Sequence, residues 1–213
     1  MALDYTPSKA LAHLHGVDPS LSRLIRAVGE FTLTPPKGQT PYEALMRAIV
    51  YQQLSGKAAA TILGRVLALM PNGGSPARPE DLPALEDAQL RGAGLSQNKM
   101  LALRDLATKT MDGTVPKTLT TLKKLSDDEL IERLTAVRGI GPWSVQMFLI
   151  FRLGRPDVLP VADLGIQKGF QLTYRTSGLP RPAELTAAAE PWRPYRSVAS
   201  WYLWRANDLP KEE

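Results

Sequence analysis

Leu134-Thr-Ala-Val-Arg138-Gly-Ile-Gly-Pro142-Trp-Ser144 is the stretch around which the rest of this chain is read. Upstream, Leu130, Ile131, Leu134 and Val137 recur at helical spacing. Downstream, Pro142 suits the first position of a new helix, where its fixed φ fits and its missing N–H would have had no partner. Gly139 and Gly141 leave two backbone positions without Cβ, so the chain can turn sharply and let an outside group come close. Peptide N–H groups at a helix start attract an anion through their unsatisfied donors and the helix dipole. The stretch therefore predicts a helix–hairpin–helix that grips a DNA phosphate through the N–H groups of Gly139 and Gly141, helped by Ser144. Gly-x-Gly alone is a weak signal, and an ordinary helix–turn–helix corner is the competing reading.

Further along, Val158-Leu-Pro160-Val-Ala-Asp163-Leu-Gly-Ile166 is apolar except for one acid, Asp163. Three more segments belong with these two: Ala48-Ile-Val-Tyr-Gln-Gln-Leu-Ser55, Leu95-Ser-x-x-Lys99, and Pro191-Trp-Arg-Pro-Tyr195 continuing to Trp201. Over residues 40–205 the set resembles the helix–hairpin–helix/Gly-Pro-Asp (HhH-GPD) superfamily of base-excision DNA glycosylases, in its alkylpurine (3-methyladenine type II) branch.

That resemblance implies an all-α, two-lobed glycosylase domain spanning 1–213, with the hairpin at 130–153 and a middle-of-chain lobe at about 41–137. The N-terminal and C-terminal helices would form the other lobe, with DNA along the cleft. The chain ahead of Gln52 is short, so the N-terminal β-domain of longer relatives is expected to be absent. The implied activity is base-excision repair: hydrolysis of the N-glycosidic bond of alkylated purines, of the 3-methyladenine and 7-methylguanine type, after base flipping. Asp163 would stabilise the oxocarbenium-like transition state and orient water. Asp is also a favoured N-cap and a helix begins at Leu164, so both roles can hold together. Gln53 and Leu54 occupy the position of a wedge for the vacated stack, against the plainer alternative of a core leucine beside a surface glutamine.

Trp143 stands where lyase-competent members carry the lysine that forms a Schiff base, which implies a monofunctional enzyme. The expected pocket is Trp143, Met147 and Trp201, with Met147 in place of a tyrosine found in some relatives; Trp192 and Trp204 read as core. Indole faces attract the positive charge of N3- or N7-alkylated purines. Relatives often hold a monovalent cation on hairpin carbonyls, here Thr135, Val137 and Ile140, so Na+ or K+ is the one ion expected and no cofactor is required. The implied partner is double-stranded DNA containing alkylated bases, bound by a monomer, cytoplasmic with the nucleoid in a bacterium and nuclear in a eukaryote. Two other readings stay open at this point: a non-catalytic helix–hairpin–helix DNA-binding protein, and a bifunctional glycosylase/lyase for oxidised bases.

Bulk properties agree with this. The 213 residues are 44% hydrophobic, enough for one sizeable domain or two small lobes to bury a core. Twenty-six basic against 21 acidic residues give +5, a weak pointer to nucleic acid. With no cysteine there can be no disulfide framework, thiolate metal site or cysteine-held iron–sulfur cluster. No basic-then-apolar leader is evident, and the central apolar run Met147 to Phe151 is far short of a bilayer span, so a soluble intracellular protein is expected.

Helices are expected at 21–28, from Thr40-Pro-x-Glu43 (a capping box) to about Gln52, at 57–69, 79–91 and 97–111, and after a second box at Ser126–Glu129. Leu125 and Leu130 are placed as that helix's hydrophobic staple. The run Trp143 to Leu153 is apolar on nearly every side and expected to be buried, and helices at 164–175, 182–189 and 195–206 complete the pattern. Residues 1–19 read as irregular and the charged end Asp208 to Glu213 as frayed.

Overall fold

Helices account for every regular element among the described residues, 3–210 of the computed structural model. In chain order they are α1 (Pro7–Val17), α2 (Pro19–Val28), α3 (Pro41–Tyr51), α4 (Gly56–Ala68), α5 (Asp87–Gly92) and α6 (Gln97–Met111). There follow α7 (Leu119–Lys124), α8 (Asp127–Thr135), α9 (Pro142–Phe148), α10 (Leu164–Tyr174), α11 (Pro182–Ala188) and α12 (Arg196–Ala206). A π turn at Leu149–Leu153 continues α9. The chain divides into two compact units, one of residues up to Pro36 and from Gln146 onward, the other Lys37–Val145. No helix among the described residues is long and apolar enough to cross a membrane.

In the Lys37–Val145 unit α6 is the spine. Ser96 caps it by accepting the Lys99 N–H at 3.4 Å. Its buried face of Met100, Ala102, Leu103, Leu106, Ala107 and Thr110 packs against α3, which buries Leu45, Met46, Ile49 and Val50. Each large apolar side chain removed from water here contributes roughly 1.5–3 kcal/mol. The Thr110 hydroxyl is satisfied by the Leu106 carbonyl at 2.7 Å. α3 begins at the expected box: Glu43 N–H donates to Thr40 Oγ1 at 3.1 Å and Thr40 N–H to Glu43 Oε2 at 2.6 Å. The Ser126–Glu129 box opens α8 in the same way.

In the other unit α12 is the spine, its Val198, Trp201, Tyr202 and Leu203 buried against α10 and α2. The approach to α10 is set by Gly169. A Cβ there would fall 1.9 Å from the Leu203 carbonyl oxygen, so no other residue fits without moving a helix.

The structure corrects several expectations. Residues 7–17, read as irregular, form α1; its buried stripe is only Ala10 and Leu14, too narrow to register as a period, while residues 1–2 lie outside the described range. The single helix expected at 79–91 is a 3-10 segment, Pro79–Ala84, followed by α5, because Pro83 inside it has no N–H to continue an α-helix. α7, six residues long, has no counterpart in the sequence reading. The apolar run from Trp143 is not buried throughout, since Trp143 and Phe151 are exposed. Of the charged end, Asp208 is tied back to Arg205 through its N–H at 2.9 Å and an ion pair at 3.3 Å; residues 211–213 lie outside the described range.

One half-buried carboxylate fastens α2, α10 and the segment before α12 together. Asp18 caps α2 by accepting Ser20 and Leu21 N–H groups at 3.0 and 2.9 Å. Its other oxygen accepts the Tyr174 hydroxyl at 2.5 Å and the Trp192 indole N–H at 2.9 Å. Burial pushes the Asp18 carboxyl up, but these donors outweigh it and its pKa is lowered overall. A depressed carboxylate stabilises the fold in full above its unfolded value, and that contribution is lost as pH falls through the folded value. Asp18→Ala should cost about 3 kcal/mol at neutral pH, from the lost cap and two stranded donors. Urea melts across acid pH should show the wild-type advantage shrinking as pH falls; a constant gap would place the cost in packing instead.

Candidate nucleic-acid and base-excision site

Asp163 sits at the N-terminus of α10 on a segment held to α12 along its length. Asp157 takes the Arg196 guanidinium on both oxygens, at 2.7 and 3.0 Å. Ser197 Oγ accepts the Val158 N–H at 2.9 Å, and Pro156 accepts the Ser197 N–H at 2.9 Å. Asp163 Oδ1 then accepts two donors: Ile166 N–H at 2.9 Å, the N-cap bond, and Trp204 Nε1–H at 2.8 Å. The carboxylate is thus a cap and a fixed group at once. Gly165 makes room for this, because a Cβ there would lie 2.9 Å from Trp204 Cδ1 and 3.0 Å from Asp163 Oδ1. Trp204 lies against Phe151, ring centroids 5.3 Å apart. Phe151, against Trp204, and Leu164, next to Asp163 in sequence, are 39% and 52% exposed, so apolar side chains are exposed beside the indole and the carboxylate.

In the Lys37–Val145 unit the hairpin after α8 is closed by Val137 N–H to the Leu134 carbonyl at 3.2 Å and Ile140 N–H to the Val137 carbonyl at 3.1 Å. Leu134, Val137 and Ile140 are its buried anchors. Gly139 has φ +76°, a conformation that favours glycine. Gly141 has no such backbone demand, and a Cβ there would meet nothing within 4 Å. The fold gives no internal reason for glycine at 141, which fits a position kept bare for an outside group. Arg138 N–H donates to Asp105 Oδ2 at 2.7 Å. Ser144 is half-buried in the first turn of α9 and Trp143 is 49% exposed. Between α3 and α4, Gln53 holds φ +57° and Leu54 is 39% exposed, so Leu54 is not a core residue. Gln52 Nε2 donates to the Gly139 carbonyl at 2.9 Å, joining this turn to the hairpin.

The sequence-derived residues therefore separate by unit. Asp163, Met147 and Trp201 belong to one; Gly139, Gly141, Trp143, Ser144, Gln53, Leu54 and the Thr135, Val137 and Ile140 carbonyls to the other. Of the two α12 indoles, Trp204, expected in the core, is the one bonded to Asp163, and Trp201, expected in the pocket, is buried. Trp201 is 9% exposed, edge-on to Phe31 at 5.0 Å and Tyr202 at 4.9 Å, and belongs to the core. The indole on Asp163 is that of Trp204. A buried indole N–H seeks an acceptor, but both tryptophans offer one, and nothing in the sequence marks which reaches Asp163. Gly165, Gln52 and Lys99 were likewise not assigned roles from sequence; Lys99 Nζ donates to the Val50 and Gln52 carbonyls at 2.8 and 2.7 Å.

Residues 46–194 match the family described as HhH-GPD superfamily base excision DNA repair protein. Over 203 residues the chain is 38% identical to DNA-3-methyladenine glycosylase 1 of Schizosaccharomyces pombe, covering 95% of this chain and 88% of that protein. Among solved structures it is similar to the Schizosaccharomyces pombe 3-methyladenine DNA glycosylase (Mag1) in complex with abasic DNA, with a TM-score of 0.79 and 38% identity over 94% of this chain and 97% of that one. It is also similar to a DNA-3-methyladenine glycosidase from Bacillus halodurans, with a TM-score of 0.85 and 37% identity over 97% of this chain and 92% of that one.

Gly165→Ala should push the Trp204 indole off Asp163. In an assigned proton–nitrogen spectrum the Trp204 Nε1–H resonance should move upfield in this variant, and in Asp163→Ala, while that of Trp201 stays in place. An unmoved Trp204 resonance would contradict the bond.

Proposed function

The chain belongs to the HhH-GPD superfamily of base excision DNA repair proteins, and from that premise we propose that it is a monofunctional DNA glycosylase acting on alkylated purines, with Asp163 as its catalytic carboxylate. The observation that carries this is the Asp163 carboxylate fixed by two donors, the Ile166 N–H and the Trp204 indole N–H.

A flipped nucleotide brings C1′ to Asp163. As the C1′–N bond breaks, its electron pair leaves with the base, which departs neutral when the purine was cationic from N3 or N7 alkylation. Positive charge then builds on the sugar, and a carboxylate already held in place stabilises it without reorganising. Water adds to C1′ and gives its proton to Asp163 and then to solvent, leaving an abasic sugar. Because the alkylated base is already a good leaving group, no acid is needed to protonate it. The flipped base stacks on the Trp204 indole, the one bonded to Asp163, with Met147 of the same unit as a further wall. Cation–π attraction worth roughly 0.5–2 kcal/mol favours a charged base over a normal one.

Trp143 has no amine, so no Schiff base with the sugar can form at that position and the strand is left uncut. Gly139, Gly141 and Ser144 hold a phosphate, and Gln53 with Leu54 fills the vacated stack. The carbonyls of Thr135, Val137 and Ile140 are neutral, hard oxygens on one turn, a donor set that suits a monovalent cation better than a transition metal. Such an ion would stiffen the hairpin; it takes no part in the bond cleavage.

Incubation with duplex DNA carrying 7-methylguanine or 3-methyladenine should release free base, with strand breaks only after alkali. Asp163→Asn should lower single-turnover release by about a hundredfold or more while DNA affinity stays similar or rises. Full activity in that variant would remove Asp163 from the chemistry, and breaks without alkali would indicate a lyase.

A further inference from the structure

We propose that α6 is a strut that locks the Gln53–Leu54 turn and the phosphate-holding hairpin into one rigid reading head, with Lys99, Gln52 and Asp105 as positioning residues. This rests on the wedge and grip roles proposed above.

Three side chains define the device. From the first turn of α6, Lys99 Nζ donates to the Val50 carbonyl at 2.8 Å and the Gln52 carbonyl at 2.7 Å, the last of these one residue before Gln53. Gln52 Nε2 crosses to the Gly139 carbonyl at 2.9 Å. Two turns along α6, Asp105 Oδ2 accepts the Arg138 N–H at 2.7 Å, while Oδ1 takes the Lys109 ammonium at 2.6 Å. Lys99 and Asp105 are six residues apart, about 9 Å along the helix axis. The wedge turn and the hairpin are thus bonded to each other and each is bonded to the same buried helix.

A simpler function for Lys99 is to cap the end of α3, as basic side chains often do. Capping alone does not account for the arrangement. An exposed helix end can be served by water, yet Lys99 gives up hydration to reach these carbonyls, and burial lowers its pKa. Its second acceptor is the carbonyl beyond α3, on the residue leading into a non-glycine residue at φ +57°. A non-glycine backbone in that region is strained and persists only where its surroundings hold it. Asp105 shows the same pattern at the hairpin. Burial raises its pKa, the Arg138 N–H and Lys109 more than reverse that, and the carboxylate stays ionised and fixed on the hairpin backbone.

The functional consequence concerns order of events. A wedge on a floppy turn would have to be immobilised as it entered the duplex, at a cost in entropy for each lesion met. Held on α6, the wedge enters in a fixed register with the gripped phosphate, so phosphate binding places it at one step of the stack.

The full-length chain tests this with a duplex carrying one 7-methylguanine and 2-aminopurine as its 3′ neighbour, whose fluorescence rises as the stack opens. Lys99→Met, Gln52→Leu and Leu54→Ala should each slow the fluorescence rise and single-turnover base release by about tenfold. Lys99→Arg should restore most of the rate, since it keeps two donors at the carbonyls. Gln52→Leu, at a half-buried surface site, gives a readout should Lys99→Met fold poorly. The Lys99→Met/Leu54→Ala double variant should be no slower than the slower single one, because Lys99 acts through the wedge turn. Multiplying defects, or a fall in melting temperature with normal stack opening, would overturn the strut while leaving the wedge intact. Normal opening in both Gln53→Ala and Leu54→Ala would overturn the wedge assignment, and the strut with it.

Discussion

At Gly169 the backbones of α10 and α12 come so close that a single methyl group would lie 1.9 Å from the Leu203 carbonyl oxygen, and the placement of Asp163 depends on that approach. Four residues earlier on the same face of α10, Gly165 repeats the device with a side chain instead of a backbone atom. The first glycine lets the helices touch and the second lets the Trp204 indole pass over α10 to the carboxylate at its end. The rest of the anchoring runs along α12: Arg196 on Asp157, Ser197 on Val158, Trp204 on Asp163. One helix therefore fixes the whole segment from 157 to 163. The indole–carboxylate bond is charge-assisted, and such bonds are worth about 1.5–3 kcal/mol each. That is enough to keep one rotamer dominant, but it is available only because apolar packing has already brought α12 into place.

The Lys37–Val145 unit meets a different physical demand. Its working parts are loops, and loops are where backbone freedom is greatest. Here the freedom is removed by side chains from α6 reaching loop carbonyls and N–H groups, so a regular helix lends its rigidity to irregular backbone. Of the large apolar side chains exposed in this unit, Met111 ends α6, while Leu54 and Trp143 lie on or beside those stiffened turns. Isolated exposed apolar residues are common on any surface. Two of them on turns held in defined conformations suit the wedge role proposed for Leu54 and the base-contact role expected of Trp143.

What could be read from the sequence divides along a physical line. Capping boxes at Thr40–Glu43 and Ser126–Glu129 are local, four-residue devices, and both form as written. Asp163 as the cap of α10 is legible because Asp before a helical run is a favoured N-cap, and the hairpin turn because Gly-Ile-Gly-Pro departs from helical patterning. Long-range bonds left no such mark. Lys99 reaches carbonyls 47 and 49 positions away, and Trp204 reaches across 41. α12 is the hardest case, because it carries Trp201, Tyr202, Leu203 and Trp204 consecutively and so presents no single apolar face. The choice between its two indoles depends on Gly165 and Gly169, and the sequence shows those glycines without showing what lies against them.

The same contrast bears on how selectivity for damaged bases can arise. A rigid carboxylate stabilises the sugar cation whatever base departs, so it accelerates loss of normal and alkylated purines alike. Discrimination must then come from steps that depend on the base: how readily it leaves the stack, how well its charge suits an indole, and how weak its glycosidic bond already is. Alkylation at N3 or N7 moves all three in the same direction, by making the purine cationic and its pairing poorer. A site of one fixed anion and aromatic surface, with no side chain required to protonate the base, needs little lesion-specific hydrogen bonding. Such a site selects for lability more than for shape, and a thioether such as the proposed Met147 wall, which offers no hydroxyl, is consistent with that economy.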